Sequence, residues 1–377
     1  MSVPGDINEN GVLDLDDIKI ISSLIVQSYS ESNLEEPESE DLDLNFYNSW
    51  KNYDEMLERF NIISTPHISI GKTYENHDIK LFKCGSDDSN KPIMVIIGTQ
   101  HCREWLSPMS CIYIIENLSE SILSKYEVHV IPVVNVDGYI YTHTTDRFWR
   151  KNREPNYDIN GNITYYGTDL NRNWDGPEWG NISLGGASNN PSSNVYQGSS
   201  GFSSPELKVL RDYLNTIKDR LFLFIDIHTY SAAIGGVWGY TYEDSPYEAI
   251  QESYGTTAIN EMTSVANYTY EWWTTEDLYV TTGDSVDYVF SELNSWAYFF
   301  ELRPSSWSGG GFDPPEETIL DGCREALIGI ESLANSTNGE KPGISYIFKK
   351  KVSNNKNRGH MRRCRCGEDL CEFDNKK

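Results

Sequence analysis

The stretch PIMVIIGTQHCREW, residues 92–105, runs from an unbroken apolar segment straight into His101 and Glu104. Apolar side chains at successive positions suit a strand buried on both faces, as in the centre of a parallel sheet. A helical pattern near residues 105–120 follows at once, so His101 and Glu104 fall where a strand ends and a helix begins. The same reading applies to LFLFIDIHTY, residues 221–230, which delivers His228, and to WAYFFEL, residues 296–302, which delivers Glu301.

HISIGK (67–72), IKLFKC (79–84) and EVHVIPVVN (127–135) read as further buried strands. NSWKNYDEMLERF (48–60) is helical by period, and helical patterns recur near 204–219, 245–264 and 315–335. This alternation predicts an α/β fold: a mixed, mostly parallel, twisted central sheet with helices on both faces. In such sheets functional groups gather beyond the carboxyl ends of the strands.

Two histidines and one glutamate at neighbouring strand ends can hold a zinc ion with one position left for water. A His-x-x-Glu pair alone occurs by chance, and either histidine alone is as readily structural; their shared location carries the inference. A carboxylate closing an apolar run, as Glu301 does, is costly to bury without a role or a partner. Beside a metal site it can act as general base; the alternative is an ion pair with Arg303. Arg147 and Arg150 in DRFWRKNR, and Arg172 in DLNRNWD, add guanidinium groups suited to carboxylates and oxyanions.

Six motifs in order, GTQHCREWLSP, NVDGYIYTHTTDRFWRKNR, GTDLNRNWD, FIDIHTYS, DLYVTTGDSVDY and FFELRP, resemble the pancreatic carboxypeptidase A/B family and its bacterial relatives over roughly residues 46–340. The resemblance implies one zinc ion held by His101, Glu104 and His228. It implies Glu301 as the base, Arg150 as the group that stabilises the oxyanion, and Asp169 as the acid orienting the first histidine. Asn171, Arg172 and Tyr279, with Arg147 nearby, would clamp the terminal carboxylate. Arg103 and Tyr230 would line outer subsites. Val286 falls where A-type enzymes carry an apolar residue in the specificity pocket, which implies apolar or aromatic C-terminal residues. Asp284, in place of a usual glycine, could admit Lys or Arg, or could point to solvent. Substrates would be peptides and proteins, and the family implies a secreted, extracellular enzyme.

The rest of the chain sets limits. Its 377 residues carry 31 Lys and Arg against 57 Asp and Glu, a formal charge of −26, which repels nucleic acid. No apolar run is long enough to span a membrane, no signal peptide is visible, and a monomer is expected. Cys84, Cys102 and Cys111 lie in apolar runs and read as buried free thiols.

Residues 1–26 form a separate unit. Asp6, Asn8, Asn10, Asp14 and Asp17 occupy alternating positions of an EF-hand-type loop that could bind calcium, with Gly11 at its sharp turn. The loop resembles one half of a bacterial dockerin, whose partner would be a cohesin-bearing scaffold protein. Residues 27–45 read as an acidic linker, 46–345 as the catalytic domain, and 346–377 as a basic, disordered tail. Two other readings compete: a hydrolase of cell-wall peptides or polyglutamate on the same scaffold, and a zinc-containing binding module. The Asn171–Arg172 pair and Tyr279 favour ordinary peptide C-termini over the first; the second typically lacks the base or a ligand, and here Glu301 and all three ligands are present.

Overall fold

A computed structural model describes residues 44–343 apart from 275, 276 and 278. The chain divides into a unit of residues 1–46 and a unit of residues 47–377. The loop of Asp6, Asn8, Asn10, Asp14 and Asp17, residues 27–43 of the acidic linker and the tail from residue 344 lie outside the described residues.

Eight strands form the central sheet of the second unit: β1 (His67–Lys72), β2 (Asp78–Cys84), β3 (Ile93–Gly98), β4 (Glu127–Ile131), β7 (Leu221–Thr229), β8 (Ala233–Gly235), β9 (Glu271–Trp273) and β10 (Trp296–Leu302). A separate hairpin pairs β5 (Pro155–Tyr157) with β6 (Ile163–Tyr166). The sheet order is β1-β2-β4-β3-β7-β10-β8-β9. The four central strands, β4, β3, β7 and β10, are mutually parallel, with antiparallel pairs outside them at β1–β2, β2–β4 and β10–β8. Every residue of β3, β4 and β7 is buried, which is why their sequences are continuous apolar runs rather than alternating ones.

One expectation about the strands does not hold. β1 was read as buried on both faces, but none of its residues is buried. It is the last strand of the sheet, paired only with β2, and the register slips between Ser69 and Gly71. An edge strand with a bulge and polar residues is a common defence against edge-to-edge pairing.

The helices are α1 (Tyr53–Ile62), α2 (Leu106–Asn117), α3 (Glu120–Leu123), α4 (Val136–Thr144), α5 (Pro205–Ile217), α6 (Glu248–Ala266), α7 (Ser285–Leu293) and α8 (Ile319–Thr337). α1 begins with a reciprocal capping box: the Asn52 side chain accepts from Glu55 N, and the Glu55 carboxylate accepts from Asn52 N. α8 packs against α2 and α6, α5 packs on β1, and α7 packs on β7 and β10. Cys84, Cys102 and Cys111 are buried free thiols, as the sequence indicates, and so is Cys323. Among the described residues no helix is long and apolar enough to cross a membrane.

Candidate active site

β3, β7 and β10 are adjacent, and their carboxyl ends converge. Glu301 lies directly beside His228 in the β10–β7 register. His101 follows β3 through a short turn, and the Glu104 amide donates to the His101 carbonyl. The two oxygens of Glu104 then divide between the histidines. Oε1 is 2.9 Å from His101 Nδ1, and Oε2 is 2.9 Å from His228 Nδ1. All three side chains are buried, and their ligand atoms lie within 4.8 Å of one another.

The outer nitrogens of both rings also face acids. His101 Nε2 is 3.0 Å from Asp169 Oδ1, and His228 Nε2 is 2.9 Å from Asp226 Oδ2. A carboxylate at the outer nitrogen fixes the tautomer that leaves the inner nitrogen free to bind a metal. Two imidazoles and a carboxylate converging in this way suit zinc. The electrostatics agree: burial would raise the Glu104 carboxyl, but the two histidines beside it hold it well below the usual carboxylate range. Burial also works against the Asp169 anion, and Arg150 and His101 outweigh it, so its carboxyl is held far down. For His228 burial favours the neutral ring, while Asp226 and Glu104 push the balance strongly to the protonated one.

Arg150 donates through Nε (3.0 Å) and Nη2 (2.9 Å) to Asp169 Oδ2. One buried acid therefore steadies both a histidine and a guanidinium group at the cleft. Glu301 lines the same cleft. Burial raises its carboxyl to about 8, moderated by the nearby His228. Its alternative partner, Arg303, is committed elsewhere, to Glu325 and to the Tyr270 hydroxyl through its backbone.

The cleft encloses about 930 Å³, counting its open mouth. One end is built around Arg172. Its Nη2 donates to Tyr279 Oη (3.1 Å), Nη1 to the Asn171 carbonyl (2.6 Å) and Nε to the Gly186 carbonyl (2.5 Å). Gly186 has φ +71°, and a Cβ there would fall 1.8 Å from the Val280 carbonyl oxygen. Only glycine brings that carbonyl to Arg172 without displacing the segment next to Tyr279. Asn171 accepts from Ser285 N at 2.9 Å and lies 3.3 Å from His228 Nε2.

Val286 and Asp284 line the cleft, and both are buried, so Asp284 does not point to solvent. Asp284 caps α7, accepting from Asp287 N (2.9 Å) and Thr281 Oγ1 (3.1 Å). Burial raises its carboxyl. Burial and the Asp284 charge raise the neighbouring Asp287 further. Tyr230 lines the cleft. Arg103 stacks its guanidinium 4.0 Å over the Phe312 ring, which also lines it.

Arg147 is not among the residues that line the cleft. Its Nη1 donates to the Arg103 carbonyl at 2.8 Å, its Nη2 to the Phe312 carbonyl, and its guanidinium lies 3.5 Å over Trp105. Asp313 Oδ1, 3.4 Å from Nη2, is a further partner of the same fork.

Asp226 went unread in the sequence, although a signal exists: an acid two positions before a histidine, in an apolar strand, projects to the same face. Besides His228, its Oδ2 accepts from Gln100 Nε2 and Ser285 Oγ, each at 2.5 Å. A second trio of possible ligands, Glu75, His77 and Asp137, is already satisfied internally: Asp137 accepts from Thr73 Oγ1 and Glu75 N and faces His77 Nδ1.

The carboxyl ends of parallel strands β3, β7 and β10 thus bring two histidines and two glutamates to one cleft, a donor set that suits a metal-dependent hydrolase. The sequence profile of the zinc carboxypeptidase family matches residues 52–329, and the chain belongs to that family. Carboxypeptidase B of Astacus astacus is 32% identical over 303 residues, covering 77% of this chain and 97% of that protein. Human carboxypeptidase O is 32% identical over 290 residues, covering 74% and 75%. Among solved structures, bovine thrombin-activatable fibrinolysis inhibitor in complex with tick carboxypeptidase inhibitor superposes with a TM-score of 0.70 at 29% identity, over 78% of this chain and 99% of that one. Carboxypeptidase A of Helicoverpa armigera shares the fold with a TM-score of 0.69 at 24% identity, over 85% and 80%. The protein is thus a zinc-dependent metallocarboxypeptidase, a hydrolase of C-terminal peptide bonds.

Proposed function

We propose that His101, Glu104 and His228 hold the zinc ion, that Glu301 is the general base, and that Arg172, Asn171 and Tyr279 seat the substrate's terminal carboxylate. The observation that carries this reading is the division of the two Glu104 oxygens between the inner nitrogens of His101 and His228, with Glu301 in register beside His228. Zinc supplies a Lewis acid and lowers the pKa of water.

The chain's own groups do the rest. Burying the carboxylate against the Arg172 fork is favourable only for a free C-terminus, which selects against internal bonds. Glu301 accepts a proton from the attacking water and passes it to the departing amine. Arg150, fixed by two hydrogen bonds to Asp169, donates to the oxygen of the scissile carbonyl as negative charge develops there. Val286 favours apolar and aromatic C-terminal side chains, and the Asp284 carboxyl in the same cleft supports Lys and Arg as a second class.

The test is a library of peptides varied at the C-terminus, with amidated controls, with and without chelator. Release of single C-terminal residues from the free acids alone, abolished by chelator, is expected. Cleavage of amidated peptides at equal rates would refute the clamp.

The division into a unit of 1–26, a linker of 27–45, a catalytic domain of 46–345 and a tail of 346–377 belongs to the same reading. So do calcium at Asp6, Asn8, Asn10, Asp14 and Asp17, a cohesin-bearing partner, and secretion. The alternating oxygen side chains around Gly11 support the calcium site. Calorimetry of the full chain with calcium, against an Asp6→Ala/Asp14→Ala variant, tests it: binding heat that is absent, or the same in both, removes it.

A further inference from the structure

Arg172 closes the short turn Leu170–Arg172, and its guanidinium is held by the Gly186 carbonyl, the Asn171 carbonyl and the Tyr279 hydroxyl. Its backbone carbonyl has a partner as well: the indole Nε1 of Trp179 donates to it at 3.1 Å. Arg172 is buried. Trp179 is half-buried and is not among the residues that line the cleft.

The carbonyl is also boxed by Gly283. That residue has φ +78°, and a Cβ there would fall 2.3 Å from the Arg172 carbonyl oxygen and 2.7 Å from Trp179 Cδ1. Only glycine leaves room for the carbonyl and the indole to meet. The Gly283 carbonyl accepts from Trp174 N at 3.0 Å. Trp179 is placed by a chain of turns: Gly176 N donates to Trp174 O (2.8 Å), and Trp179 N donates to Gly176 O (3.2 Å). The same segment ends at Gly186, whose carbonyl takes Arg172 Nε. Residues 176–186 thus hold Arg172 twice, once by its backbone and once by its guanidinium.

A guanidinium fork favours a carboxylate most when two N–H groups meet its two oxygens in parallel, so its aim matters as much as its charge. Removing the indole N–H leaves a buried carbonyl without that donor, and the peptide plane can turn to find another. The fork turns with it. We propose that Trp179 is a positioning residue for the carboxylate clamp: acting through the Arg172 carbonyl, its indole N–H sets where the guanidinium stands, and so how sharply a free C-terminus is told from a blocked one. The effect falls on substrate binding, because the zinc ligands and Glu301 stand on other segments.

This inference rests on the carboxypeptidase reading, and its test separates the two. Trp179→Phe keeps a large ring and removes the donor. KM for free-acid peptides is expected to rise roughly fivefold, the scale of one lost hydrogen bond, with kcat and zinc content unchanged. The preference for free acids over amidated peptides should shrink by the same factor. Added to Arg172→Ala, the substitution should cost nothing further, because its route to the substrate is already gone. If Trp179→Phe is unfolded by circular dichroism, β-(3-benzothienyl)alanine at position 179, which exchanges the N–H for sulfur at nearly the same size, takes its place. An unchanged KM, equal losses on free-acid and amidated substrates, or full additivity with Arg172→Ala overturns the positioning role. Failure of the natural protein on every free-acid peptide would instead sink the carboxypeptidase reading.

Discussion

The Oδ2 of Asp226 lies 2.9 Å from the Nε2 of His228, across a single intervening residue of β7. His101 has the matching contact with Asp169, so both histidines are held from behind by a buried acid. Asp226 also accepts from Ser285 Oγ, whose neighbour Val286 lines the cleft. The His228 ring and the wall of the cleft thereby share one anchor.

Replacing Asp226 by Asn keeps the size but weakens the hold on the His228 outer N–H. Outer partners of this kind typically contribute about 10- to 100-fold in metal affinity. Asp226→Asn should weaken zinc binding by that amount in competition with a chromophoric chelator. An unchanged affinity would reduce Asp226 to a packing residue.

Glu301→Gln removes the proposed proton acceptor and none of the three proposed metal ligands. A loss of roughly 100- to 10,000-fold in kcat is expected, with zinc content by atomic absorption unchanged. Because a base works only when deprotonated, and burial holds this carboxyl up at about 8, activity should rise with pH. Bound zinc adds a positive charge that pulls the limb below that value. The residual rate of the Gln variant should lack the limb.

Arg172→Ala leaves a terminal carboxylate without its fork. The expected cost is on the order of 100-fold in kcat/KM, or about 3 kcal/mol. Discrimination between free and amidated peptides should fall with it. A variant that still ignores amides would place the clamp elsewhere.

Asp284→Asn retains a side chain that can cap α7 while removing the charge. The ratio of rates on C-terminal Lys or Arg to those on Phe should fall about tenfold, the scale of one partly satisfied charge contact. An unmoved ratio would mean that basic residues find no partner there.

Glu206 lies fully buried, accepting from Asn152 Nδ2 (2.9 Å) and Tyr74 N (3.1 Å). Burial raises its carboxyl from 4.5 to about 7. The folded protein then holds this proton more tightly than the unfolded chain, so stability falls as pH climbs from about 4.5 to about 7 and levels off above. The loss is at most roughly 3 kcal/mol. Melting temperatures of Glu206→Gln should lose that part of the slope; an identical slope would assign it to other groups.

The strands that carry the site were legible because burial on both faces leaves an unmistakable apolar run, and each run ends on the residue that matters. His101, Glu104, His228 and Glu301 were found that way. What the sequence hid follows from tertiary packing. Arg147 reads like Arg150, three residues away, yet Arg150 donates to Asp169 and Arg147 to the Arg103 and Phe312 carbonyls. Asp284 was ambiguous because a helix cap and a pocket wall need the same residue type. β1 has the length of a strand, but nothing in HISIGK says that it lies at the sheet's edge.

The position of β10 has a temporal consequence. It inserts between β7 and β8 within the sheet, although it is the last strand among the described residues. A ribosome must therefore deliver the polypeptide past residue 302 before Glu301 can stand beside His228. Until that moment the nascent chain carries His101, Glu104 and His228 without Glu301 beside them.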